Sequence, residues 1–195
     1  MLTKYALHKL QQFERRFDYD ASYMKDILKA SPMAFFRLVR LQGISSFREG
    51  VPRAPWYVAK LVGALHEDCG PCAQLVVNMA KLDKVAAPLI RAVVAGNEAA
   101  MPDEIRLSYR YARAVINREP SAHLIDEINR LWGTLGHVSL AFAVVSGRLY
   151  PMLKYALGRG LSCSKLRVED DTLLVQSGSQ FATPSDEEPL HHEVS

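Results

Sequence analysis

The sequence predicts an all-α fold. Three observations carry it: apolar residues recur at helical spacing along most of the chain, proline and glycine fall where helices would start and stop, and strand-like alternation is confined to the short stretch from Leu173 to Gln176. With 195 residues, 49% of them hydrophobic and 23% charged, the chain suits one domain with a sizeable core. A single helical domain is expected over residues 1–163 and a C-terminal extension over 164–195. From about residue 177 the extension is rich in Ser, Pro, Asp and Glu, and it reads as largely disordered.

In chain order, Leu7, Leu10, Phe13 and Phe17 form the apolar stripe of a first helix, and Asp20 is placed to cap ASYMKDILKA. The pair Ser31-Pro32 supplies an N-cap and a first-turn proline, and MAFFRLVRLQGISSF continues that helix with Phe35, Leu38, Val39 and Leu41 inward. REGVPRAP is a loop. Val58, Leu61, Val62 and Leu65 mark the next helix, and Leu75, Val76 and Met79 the one after it. The turn LDKVAAP leads into LIRAVVAG, ended by Gly96. Met101-Pro102-Asp103 then opens DEIRLSYRYARAVIN, which buries Ile105, Tyr109, Ala112 and Val115 or Ile116. AHLIDEINRLWG points Leu124, Ile128 and Leu131 inward and stops at Gly133. A last helix runs from near His137 to Leu157 or Gly158, with a kink expected at Pro151. The N-terminal helices are expected to cover the apolar face of the central segment.

Composition excludes several classes. The net charge of +3 is spread over Lys and Arg that never run longer than two, which argues against a nucleic-acid footprint. The apolar stretch at residues 138–145 is broken by Ser146, Gly147 and Arg148, well short of the ~18 apolar residues of a membrane span. The first residues lack the apolar core of a signal peptide, so a reducing cytoplasm is the expected setting.

The chemistry concentrates at residues 65–81, LHEDCGPCAQLVVNMAK, which hold two of the three cysteines. Cys69 and Cys72 are three apart, so on a helical turn they share a face and lie close enough to bridge. Pro71 is costly inside a helix and harmless in its first turn, which places a helix start near Asp68 to Gly70. Cys69 then sits at the N-cap and Cys72 in the first turn, where unpaired N–H groups favour a thiolate, the nucleophilic form. Glu67 and Asp68 act in the opposite sense. His66 is a candidate base and Glu67 a candidate relay carboxylate. A structural zinc site would need four ligands, and beyond the pair only His66, Cys163 and the tail residues His191 and His192 offer themselves, so no metal or cofactor is assigned. Cys163 reads as a free thiol or small filler, Trp56, Trp132, Tyr109, Tyr111, Tyr150 and Tyr155 as packing residues, and Arg106, Arg110 and Arg113 as a solvated stripe able to hold an anion or face a partner. Gly70 and Pro71 also separate the cysteines of thioredoxin, but that fold needs a strand before the motif, where this chain has helical spacing.

The CxxC at the start of a mid-chain helix, with LDKVAAPLIRAVVAG, DEIRLSYRYARAVIN, HLIDEINRLWG and VSLAFAVVSGRLYPMLKYALG after it, resembles the alkyl hydroperoxidase D fold of the carboxymuconolactone decarboxylase superfamily. The likeness covers most of the chain before Cys163. It implies a helical subunit assembled into homo-oligomers that uses Cys69 and Cys72 to reduce peroxides or partner disulfides, recharged by a thiol reductant protein. In that family a histidine and a glutamate form a proton relay; the corresponding positions here hold Val76 and Tyr57. His66 is the substitute base. Position at the helix end favours Cys69 as the attacking thiol and family practice favours Cys72, so the order stays open. The alternative from another class is a non-catalytic oligomeric binding scaffold that has lost the relay. A lactone decarboxylase is a third reading, against which the retained CxxC counts.

Overall fold

The chain is all-α. The computed structural model describes residues 1–119, 122–159, 166–168 and 171–173. Its helices are α1 (Leu2–Phe17), α2 (Ser22–Ala30), α3 (Pro32–Arg40), α4 (Gln42–Ser46), α5 (Arg53–His66), α6 (Gly70–Leu82), α7 (Ala87–Val94), α8 (Asp103–Asn117) and α9 (Ala122–Ala156), with a 3-10 turn at Glu98–Ala100. A short antiparallel hairpin follows, β1 (Leu166–Val168) with β2 (Asp171–Leu173), in the register Leu166 to Leu173.

Helix α5 is the axis of the molecule. Every residue from Pro55 to Ala64 is buried, because α6, α8 and α9 all pack around it. A helix apolar on all sides belongs in the middle of a bundle. The α5–α9 crossing is close because it uses glycines: a Cβ on Gly147 would collide with the Lys60 carbonyl, and one on Gly63 would meet the Val144 carbonyl at 2.5 Å. Around α5 lies the main core, which includes Val62, Val77, Ile105, Ala112, Ile128 and Val144.

A second, smaller core forms where the N-terminal helices meet. Ala6, Leu10, Tyr19, Ala21, Tyr23, Leu28 and Phe35 are its buried residues, and Leu75 of α6 and Leu153 of α9 are packed against it. As expected, these helices lie over the CxxC helix.

Local rules explain most boundaries. Ser31 Oγ accepts the Ala34 N–H at 3.2 Å with Pro32 in the first turn, the capping arrangement expected. Asp20 accepts the Ser22 N–H at 2.9 Å, but the N-cap is Ala21, so Asp20 stands one residue before the capping position expected of it. Several expectations are corrected. Ala6 takes the buried place in α1 and Leu7 is exposed, because the stripe runs Ala6, Leu10, Phe13, Phe17. The expected helix over MAFFRLVRLQGISSF is two, divided at Leu41, and Val39 is 42% exposed because its face borders a cavity instead of a packed partner. Leu131 is 41% exposed; after Leu124 and Ile128 the inward position passes to Trp132, one helical step on.

The break in α9 lies at Gly133 (φ 67°, ψ 178°), a conformation suited to glycine, while Pro151 sits within the helical run. The expected domain boundary after residue 163 excludes β1, yet Leu166 and Val168 are fully buried members of the main core. Gln74 of α6 holds that strand by both backbone groups of Arg167, accepting its N–H at 2.6 Å and donating to its carbonyl at 3.1 Å. Cys163, His191, His192 and the expected disordered tail lie outside the described residues.

Candidate functional site

Cys69 and Cys72 are joined as a disulfide, with Cα atoms 5.3 Å apart. Local sequence makes this geometry. Helix α5 ends at His66, Asp68 takes a left-handed conformation (φ 49°), and Pro71 fits the first turn of α6, so Cys69 is the N-cap and its carbonyl accepts the Ala73 N–H at 2.9 Å. The turn between the helices is tied to α9 twice. Glu67 Oε1 accepts from Arg148 Nε at 2.5 Å, and the Tyr155 hydroxyl donates to the Asp68 carbonyl at 3.4 Å.

Both cysteines are buried, each 5% exposed, so Cys69 is not the more accessible sulfur that its place at the helix end suggests. The two differ in what they face. Cys72, and not Cys69, lines a cavity of about 670 Å³ at the seam between the two cores. Its walls are mainly apolar and aromatic, with Phe13, Phe35, Trp56, Leu75 and Tyr150 among them. Tyr19, on the α1–α2 connection, brings its hydroxyl to 3.9 Å from Cys72 Sγ. Burial pushes the Tyr19 phenol up to about 12, so it is a hydrogen-bond donor at neutral pH, and Tyr23 supports it with a hydrogen bond of its own.

His66 stands exposed at the end of α5, and partial desolvation together with the Arg148 guanidinium holds its imidazole below the usual value. Glu67 is committed to Arg148. Val76 and Tyr57, at the positions of the relay in the family that the sequence resembles, both line the cavity, and the Tyr57 hydroxyl donates to Asp83 Oδ2 at 2.8 Å. No family model, curated protein or solved structure matches this chain.

The residue that sequence reasoning missed is Lys60. It is 5% exposed, its ammonium donates to the Ser45 carbonyl and at 3.1 Å to Ser45 Oγ, and it lies 4.2 Å from the centre of the Trp56 ring. It also lines the cavity. Burial pushes its pKa down to about 7. The available signal was a lone lysine inside a run of apolar positions, WYVAKLVGAL, on a helix with no polar face. The three arginines of α8 are already engaged: Arg106 with Asp103, Arg110 with Glu98 at 2.6 Å and Arg113 with the Tyr109 hydroxyl at 3.3 Å. Among the described residues no group of three or more His, Cys, Asp or Glu could hold a metal ion.

Proposed function

We propose that this chain is a thiol–disulfide redox protein of the alkyl hydroperoxidase D-like kind, whose Cys69–Cys72 pair reduces peroxides. The observation that carries the reading is a bridged CxxC pair with one sulfur facing a largely apolar cavity. A sulfur buried beneath two cores is poorly placed for exchange with a protein disulfide, whereas a small peroxide can reach it through the cavity.

In the reduced state the Cys72 thiolate, favoured by the N-terminus of α6 and by the Tyr19 O–H, attacks the distal peroxide oxygen. The O–O bond breaks, Cys72 becomes a sulfenic acid, and the alkoxide leaves as the alcohol after taking the thiol proton. Cys69 then attacks the sulfenic sulfur, forming the disulfide and releasing water. An external dithiol, itself oxidised to a disulfide, returns both cysteines to thiols. His66, at the end of α5, and Glu67, paired with Arg148, precede the pair in sequence and are the candidate proton carriers. Homo-oligomeric assembly and a cytoplasmic setting belong to the same reading and rest on the resemblance and the unbridged-thiol chemistry it requires.

The test is a redox titration of the pair by thiol trapping and mass spectrometry in defined dithiol/disulfide buffers, followed by peroxide consumption. Support is a reversible intramolecular disulfide with a potential in the range of roughly −180 to −270 mV found among disulfide oxidoreductases. Thiols that react only after unfolding would overturn it. The scaffold reading, favoured by Val76 and Tyr57 in the relay positions, would then stand in its place.

A further inference from the structure

We propose that the cavity between the two cores is a binding site for a long-chain carboxylate, with the aliphatic tail along the aromatic walls and the head group paired with Lys60. An ammonium is expensive to remove from water unless an opposite charge accompanies it. Among the described residues no carboxylate pairs with Lys60: its two hydrogen bonds both go to Ser45, which is neutral and leaves one N–H unused. The acidic residue of the cavity lining, Asp83, already accepts the Tyr57 hydroxyl at 2.8 Å.

A ligand carboxylate would supply the missing counter-charge. The rest of the cavity sets the remaining chemistry of the ligand. About 670 Å³ with a mainly apolar and aromatic wall, Phe13, Phe17, Phe35, Leu75 and Pro151 among it, suits a flexible hydrocarbon. Of the cations on the lining, Lys9, Arg16 and Arg48 are exposed and Lys60 is buried, so the head group is placed at Lys60.

Cys72 faces the same space, so the bound chain would be the carrier of the peroxide; this part rests on the redox reading above, and the binding does not. The experiment separates them. Dodecanoate and dodecanol are titrated calorimetrically into the oxidised full chain and into its Cys69→Ser/Cys72→Ser variant, which cannot turn over. Dodecanoate is expected to bind both at least about tenfold more tightly than dodecanol, the size of a buried charge pair. Lys60→Met should abolish that preference while dodecanol still binds. A second measurement needs no variant: in protein labelled with ¹⁵N-lysine, dodecanoate but not dodecanol should shift the Lys60 side-chain resonance. Equal affinity for acid and alcohol, no binding of either, or a preference that survives Lys60→Met would overturn the proposal. Carboxylate binding with no peroxide consumption would instead sink only the redox reading.

Discussion

At the scale of single residues, the unlike surroundings of the two sulfurs make unlike predictions. Cys72→Ser should abolish peroxide consumption. Cys69→Ser should still form the first intermediate and stop there, so a sulfenic-acid trap such as dimedone should label Cys72 in one chemical step; labelling of Cys69 in the reciprocal variant would reverse the order of attack. Tyr19→Phe removes the hydroxyl 3.9 Å from Cys72 Sγ and should raise the thiol pKa, read from the pH dependence of alkylation in the reduced protein. Lys60 makes a prediction about stability. Burial lowers its pKa to about 7 from 10.5, so above pH 7 the unfolded chain holds a proton that the folded chain has lost. Stability should therefore rise between pH 7 and about 9.5 by on the order of 2–3 kcal/mol. Urea midpoints across that window should climb in the wild type and stay nearly level in Lys60→Met.

At the scale of elements, the glycines that let α5 and α9 touch are as constraining as any apolar residue. Gly147→Ala places a methyl group against the Lys60 carbonyl, inside two well-packed backbones, and should cost about 1–3 kcal/mol in chemical denaturation; an unchanged midpoint would mean the helices separate freely. Helix starts were legible in the sequence because they are local: Ser31-Pro32 and Cys69 with Pro71 are fixed by which N–H groups lack partners. Gly133 was equally legible as a stop, since a positive φ is a local demand. Inward faces were less so. Leu7, Val39 and Leu131 lie beside the true buried positions, and only the placement of neighbouring helices and of a cavity tells them apart. Lys60 was only half legible for the same reason: a lone lysine in an apolar run marks the position but not where its amine ends. Nothing local distinguishes a lysine that snorkels to water from one whose amine ends among Ser45, Trp56 and an interior space, because Ser45 arrives from a different helix, 15 residues earlier. Leu166 and Val168 likewise carry no signal in a three-residue strand; it is α6, through Gln74, that gives the strand its place.

At the scale of the whole molecule, the N-terminal helices act as a cover over Cys72. Reagent size should expose this. In the reduced protein iodoacetamide, small enough to enter the cavity, should alkylate Cys72 readily, while a polymer-linked maleimide should react at least about tenfold more slowly; comparable rates by mass spectrometry would mean the cover is open. The division into two cores with a space between them has a consequence for how the protein comes apart. The buried residues of α1 to α3 form a cluster of their own, so these helices are expected to lift away as a unit at a lower free energy than global unfolding. Native-state hydrogen exchange should show their amides exchanging through a common sub-global opening while those of α5 exchange only with the whole chain. A chain that fills the seam would act as mortar between the two halves, merging both openings into one.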